Sequence, residues 1–412
     1  MKRVFAFLMT VLIVASLVGA CGGTTAPTAV PATATTEPAP PATCTDEWGC
    51  VEIKTGETIQ LAYVGPMTAD YSAFGVDISR GAELAVKDRP EVKGYQIELV
   101  IEDTQGAADQ GAAVANKNAT MARLAGVLGH TFSGEVEASL PIYETAHIVT
   151  ISPSTTRADL PGKGPTIYNR IAFSDKLQGA MAANYIYNVL GLKKVVGMHD
   201  GGAYGQGLVE GMTADFAALG GEVLGIKGIT PGETDYSAPL ADVASLGPEL
   251  IYFGGYDADA AVMVSQMAGA GLANTKFFGC DGTYGSNYLN LAGPAAEGTY
   301  STYVPIPPSA AFDKFRADYE AAYGDPQGKL SPFSPHGYDA AAIMIASIDQ
   351  VSFVSGDSLF IPRKALAEAV RSTKDFPGLT GVLTNNGAGE MAAASPLFMV
   401  VTNGEWVQAP GQ

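Results

Sequence analysis

Lysine and arginine are scarce in this chain. There are 24 of them against 42 aspartates and glutamates over 412 residues, a formal net charge of −18. Nucleic acid and anionic lipid are bound by clustered cations that neutralise phosphate, so no nucleic acid is expected as a partner. Histidine is rarer still, with four residues (His130, His147, His199 and His336). His130 and His199 fall at the ends of expected strands, but neither has a nucleophile beside it in the sequence, and both read as structural or cleft-rim residues. Gly-x-Ser-x-Gly, Ser-x-x-Lys, Cys-x-x-Cys and His-Glu-x-x-His are all absent. Gly205-Gln206-Gly207 begins like a dinucleotide fingerprint and then fails, because Glu210 stands where the third glycine belongs. No enzyme activity, cofactor or metal site is expected.

Cysteine is limited to four residues with separate expected fates. Lys2 and Arg3 precede a nearly unbroken apolar run from Val4 to Val18, and Val18-Gly19-Ala20-Cys21 follows. About 15 apolar residues are short for a membrane span, which needs ~20, and suit a signal peptide. The small residues before Cys21 resemble a bacterial lipobox, which would make 1–20 a lipoprotein signal peptide and Cys21 the lipidated residue. A plain signal peptide or a short N-terminal anchor is the rival. Residues 22–43 are Thr, Ala and Pro with one charge, Glu37, and read as an extended tether. Cys44 and Cys50 bracket five residues, and in an oxidising compartment they favour a small disulfide loop over two free thiols or a metal pair. The expected segment from 21 to 56 thus holds the lipid site, the tether and this loop. Cys280 is left unpaired. No second long apolar run follows the first.

From residue 57 onward, short β-branched runs alternate with Ala-rich helical stretches. Strands are expected at Ile59–Val64, Ile97–Glu102, Gly126–Leu128, Ile148–Ile151, Val195–Met198, Val223–Ile226, Leu250–Phe253 and Lys276–Phe278. Helices are expected between them, among them Ser79–Lys87, Ala107–Arg123, Gly134–Glu144 and Asp175–Leu190. This alternation predicts an α/β protein built from parallel sheets with helices on both faces. Asn403-Gly404, between Leu397–Thr402 and Glu405–Val407, is a two-residue hairpin signal.

Ligands of open α/β sheets bind beyond the carboxyl ends of the strands. Here those ends carry hydroxyls, glycines, aromatics and a few acids, with almost no cations: Gly129-His130-Thr131-Phe132-Ser133-Gly134, Ser152-Pro153-Ser154-Thr155-Thr156, Gly254-Gly255-Tyr256-Asp257 and Cys280-Asp281-Gly282. Ser133, just before an expected helix, is either an N-cap or an anion ligand at a helix N-terminus. The hydroxyls of Ser154, Thr155 and Thr156, one strand–helix unit later, favour the second reading. Asp281 is either a turn former or the partner of a cation. Tyr204 and Tyr256 are either packing residues or walls for an apolar side chain.

The ordered set of Val64-Gly65-Pro66-Met67, Ala113-Val114-Ala115-Asn116-Lys117, Gly129-His130 with Ser133, Ile142-Tyr143-Glu144, His199-Asp200 with Tyr204-Gly205-Gln206-Gly207, Gly228-Ile229-Thr230 with Gly232-Glu233, Tyr252-Phe253-Gly254-Gly255-Tyr256 and Ala296-Glu297-Gly298 resembles the leucine/isoleucine/valine-binding protein family of ABC transporters. The resemblance runs from about residue 57 to the end. It implies the type I periplasmic binding fold, two doubly wound parallel-sheet lobes joined by three hinge crossings. Lobe 1 would take 57–175 with 305–380, and lobe 2 would take 176–304 with 381–412. It further implies that Ser133 and Thr156, helped by backbone near Ser154, hold an amino acid's carboxylate. Asp281 would meet its ammonium, Tyr204 and Tyr256 would contribute from lobe 2, and Phe74 and Phe333 would lie near the side chain. Two departures stand out: the family's branched-chain binders have glutamate at the Asp281 position, and Gln105 and Phe132 replace a lobe 1 disulfide of theirs. The implied protein is an extracytoplasmic lipoprotein, monomeric, that hands a branched-chain or other aliphatic amino acid to an ABC permease and touches the membrane only through its lipid. The alternative is a sensory protein for an amide, a urea-like compound or a small carboxylate.

Overall fold

The computed structural model describes residues 43–161 and 167–412. The expected signal peptide at 1–20, the lipidation site Cys21 and the tether up to residue 42 lie outside the described residues.

Two sheets organise the chain. The first has six strands in the order Glu91–Val92, Tyr95–Asp103, Ile59–Gly65, Leu124–Gly129, Thr150–Ser152 and Tyr168–Arg170. All neighbours are parallel except the first pair. Successive side chains of a strand face opposite sides, so Leu61 and Tyr63 pack beneath the helices Ser72–Asp88 and Ser334–Val351. Ala62 and Val64 face the other way, toward the helices Ala108–Ala119 and Ser133–Ala146. Burial on both faces is why these strands read as continuous apolar runs.

The second sheet has seven strands in the order Glu405–Gln408, Leu397–Thr402, Tyr300–Tyr303, Lys276–Phe278, Leu250–Gly254, Lys194–His199 and Glu222–Gly228. Its last five are parallel, and the two at the other edge are antiparallel. Asn403 and Gly404 join that edge pair with φ of 55° and 78°, the left-handed conformation a type I′ turn requires. Ile251 and Phe253 belong to one core with residues of the helices Ser237–Ala244 and Asp257–Met267. Leu250 and Tyr252 belong to another with residues of Asp175–Asn184 and Ala203–Ala218. The chain passes between the sheets three times, after Arg170, after Tyr303 and before Leu397.

Several boundaries fall elsewhere than the sequence suggests. Cys50–Lys54, assigned above to the tether and loop, is a strand paired antiparallel with Ser358–Pro362. Val51 and Ile53 are buried in the core of the first sheet while Glu52 and Lys54 are exposed. Leu383 and Met391, beyond the expected lobe boundary at 380, also pack in that core. The helix expected to begin at Ser79 begins at Ser72, which brings Phe74 onto its first turn. Cys44 and Cys50 form a disulfide and Cys280 is buried and free. Among the described residues no helix is long and apolar enough to cross a membrane.

Candidate functional site

The loops at the carboxyl ends of both sheets meet around a small cavity. Its walls include Phe74, Ser133, Ser154, Thr155, Thr156 and Phe333 from the first sheet and its connections, and Tyr204, Tyr256 and Asp281 from the second. All nine ligand candidates from the sequence therefore line one space. Thr131, Phe132 and Gly282 line it as well, and the sequence reading gave none of these a contact with ligand. Gly282 is glycine for a steric reason: a Cβ there would lie 2.5 Å from the Gly255 carbonyl oxygen and 3.1 Å from the Tyr256 ring.

On the first-sheet side the hydroxyls divide by what they already do. Ser133 is the first helical residue and not the N-cap; Phe132 occupies that position. The free amide of Phe132 donates to Glu135 Oε2 at 3.1 Å. The glutamate thus does the capping, and Ser133 is left to face the cavity beside the unpaired first-turn amides of its helix. Ser154 donates to the Thr131 carbonyl at 2.7 Å. Thr155 is bonded to Ser152 at 2.7 Å and to the Tyr168 hydroxyl at 2.6 Å, so its side chain shapes the wall and has no spare donor. The Asp175 amide donates to the Thr156 carbonyl at 2.7 Å, and the Thr156 side chain lies beside the Asp175 carboxyl. His130 bonds Tyr143 at 3.2 Å, and burial pushes its imidazole down to about 3. It is a neutral scaffold residue behind the Ser133 turn. His199 accepts a turn hydrogen bond from the Gly201 amide at 3.0 Å and lines neither the cavity nor its mouth.

On the second-sheet side Asp281 opens a single 3₁₀ turn after the strand Lys276–Phe278 and is 4% exposed. Its Oδ1 accepts from the Tyr204 hydroxyl at 2.5 Å and from Gln178 Nε2 at 2.8 Å. Its own amide donates to Gln178 Oε1 at 3.1 Å. Gln178 also donates to Asp175 Oδ1 at 3.2 Å. One carboxamide thus ties the site carboxylate to a second, buried carboxylate at the start of the first crossing helix. The second oxygen of Asp175 has no hydrogen-bond partner among the described residues.

Burial raises the pKa of both acids. For Asp175 the nearby Asp281 charge adds to burial, and the carboxyl is pushed up to about 8. The Arg170 charge opposes that rise, but Arg170 is itself fully buried and bound to Glu390 and the Arg157 carbonyl. No lysine or arginine lines the cavity or its mouth among the described residues. Such a site attracts a positive group on one side and offers hydroxyls and helix amides on the other. Neither Asp175 nor Gln178 stood out in the sequence, where both read as ordinary polar positions of a helix.

A two-sheet α/β chain with its polar strand-end loops gathered on a cleft is the architecture of a solute receptor, and comparisons with known proteins place it. Residues 58–405 match the family model of periplasmic binding proteins, and the chain belongs to that family. An amino acid binding protein of Pseudomonas aeruginosa is 32% identical over 269 residues, 63% of this chain and 72% of the relative. A Leu/Ile/Val-binding protein homolog of Brucella abortus is 28% identical over 328 residues, 79% of this chain and 85% of the relative. Among solved structures, a leucine binding protein from Thermotoga maritima superposes with a TM-score of 0.77 at 28% identity, covering 85% of this chain and 98% of its own. The fold is the type I periplasmic binding fold. The family is one of extracytoplasmic substrate-binding proteins.

Proposed function

We propose that this protein captures an aliphatic amino acid, branched-chain ones foremost, and delivers it to an ABC permease. The observation that carries the proposal is the shared cavity, with Ser133 and Thr156 on one wall and the buried Asp281 on the other. In this reading the lobes expected at 57–175 with 305–380 and at 176–304 with 381–412 close on the ligand, their bounds shifted so that the segments around Val51 and 381–391 join the first. Ser133, Thr156 and backbone near Ser154 hold the carboxylate, and Asp281 holds the ammonium. Phe74, Phe333, Tyr204 and Tyr256 surround the side chain. Cys21 carries the lipid that tethers a monomeric receptor, and no catalysis occurs.

A zwitterion that leaves water must have both charges met. Hydrogen bonds to charged groups contribute about 1.5–3 kcal/mol each. Several of them, with apolar burial, offset lost ligand freedom to give micromolar or tighter binding, about −8 kcal/mol. The test is a melting-temperature screen of the purified protein against amino acids, amides, urea-like compounds and small carboxylates, followed by titration calorimetry. Ligand at a hundredfold excess over Kd stabilises the bound form by about 2.7 kcal/mol. A response to amides or simple carboxylates with none to amino acids would overturn the assignment.

A further inference from the structure

The space between the two sheets is divided. Outside the inner cavity lies a second and larger space, lined by residues that include Tyr71, Gly106, Glu135, Asp200 and Pro231. Phe132, Tyr204 and Tyr256 line both spaces, so these three rings form the partition between them. Tyr204 is committed to Asp281 through its hydroxyl. The closest ring contact across the partition is between Phe132 and Tyr256, with centroids 4.6 Å apart.

The Phe132 ring is held where it is. Tyr71 meets it edge-on at 5.6 Å and Phe74 at 5.9 Å. Behind it stands Gly106, where a Cβ would already lie 3.2 Å from Phe132 Cε2. Its backbone is pinned by the bond to Glu135 and by the helix that starts at the next residue. Turning the ring aside would break its contacts with Tyr71, Phe74 and Tyr256.

We propose that Phe132, closed against Tyr256, is the specificity-determining partition that restricts the ligand to one small zwitterion. This rests on the amino-acid reading above and adds to it a size limit set by one side chain. A ligand whose main chain continues beyond a single residue, such as a dipeptide, needs the volume that the Phe132 ring fills. With the ring gone the partition keeps only Tyr204 and Tyr256, and a ligand can reach past the vacated position from one space into the other.

The experiment compares leucine with leucylglycine by titration calorimetry on wild type, F132A and the milder F132L. Wild type should bind leucine and show no measurable heat with leucylglycine. In F132A the affinity for the dipeptide relative to leucine should rise by at least about tenfold, the scale on which a pocket discriminates by size, with F132L between the two. Dipeptide binding by wild type as tight as leucine binding would overturn the partition. So would a folded F132A or F132L whose dipeptide-to-leucine ratio stays at the wild-type value. Should F132A not fold, as judged by its melting transition, F132L alone decides. A wild-type protein that binds dipeptide but no free amino acid would overturn the amino-acid reading and the partition together. Binding of leucine with an unchanged ratio in the variants overturns only the partition.

Discussion

Exchanging Asp281 for asparagine should move stability and affinity in opposite directions. In the empty protein Asp281 and Asp175 are two buried acids bridged by Gln178, and the Asp281 charge raises the Asp175 pKa. One pKa unit corresponds to about 1.4 kcal/mol. Removing the Asp281 charge relieves that repulsion, and the amide keeps a carbonyl that can accept from Gln178 or Tyr204. The empty D281N protein should therefore be more stable than wild type, by on the order of 1 kcal/mol. Binding loses a charged hydrogen bond to the ligand's ammonium, about 1.5–3 kcal/mol, or roughly 10–150-fold in Kd. Differential scanning calorimetry without ligand gives the first quantity and isothermal titration the second. An unchanged Kd would remove Asp281 from the ligand site. A lowered melting temperature would show that the acid supports the empty fold, and the repulsion argument would fail.

Two further predictions concern the same cavity. Asp175 has its folded pKa raised to about 8, so the stability it contributes is full below its unfolded pKa of ~3.9 and is lost as pH rises toward 8. An ammonium beside Asp281 favours the charged pair, so binding should release a proton and affinity should rise with pH up to about 8, by at most tenfold per unit. Titrations in buffers of different ionisation enthalpy would measure that release, and a Kd constant from pH 5.5 to 8 would refute it. On the opposite wall, Ser133→Ala with Thr156→Val should abolish the ligand-induced rise in melting temperature. A persisting rise would put the carboxylate elsewhere.

Most of the frame was legible because the chain writes it locally. The apolar runs at Ile59–Val64 and Leu250–Phe253 are buried on both faces, and their glycine- and hydroxyl-rich sequels could belong only to strand-end loops. The strand Cys50–Lys54 was missed for the opposite reason. Its alternation spans four residues, Val51 to Lys54, and its partner, Ser358–Pro362, lies some 300 residues away, so nothing nearby announces the pairing. Ser133 was read as standing outside its helix because the residue that caps the turn, Glu135, does so from inside it. Phe132 stood in a quoted loop and was read only as a replacement for a disulfide cysteine, because its place in the partition depends on a ring from the second sheet. Gln178 looked like any polar residue of a helix, since its role depends on Asp281, 103 positions further on.

The arrangement of these groups also bears on which small acids the cleft can accept. The Asp175 amide donates to the Thr156 carbonyl, Asp175 shares Gln178 with Asp281, and Asp281 receives the Tyr204 hydroxyl. The proposed carboxylate and ammonium ends are thus joined by one hydrogen-bonded chain that passes through the first crossing between the sheets. A ligand bearing only a carboxylate would bring a third negative charge toward two acids whose ionisation is already opposed by burial. Its cost would be met by protonating the pair, which weakens binding near neutral pH. A zwitterion adds no net charge and presents its positive end to Asp281. The buried second acid, which contributes no ligand contact of its own, therefore works against simple carboxylates and favours a receptor for amino acids over a sensor of small organic acids.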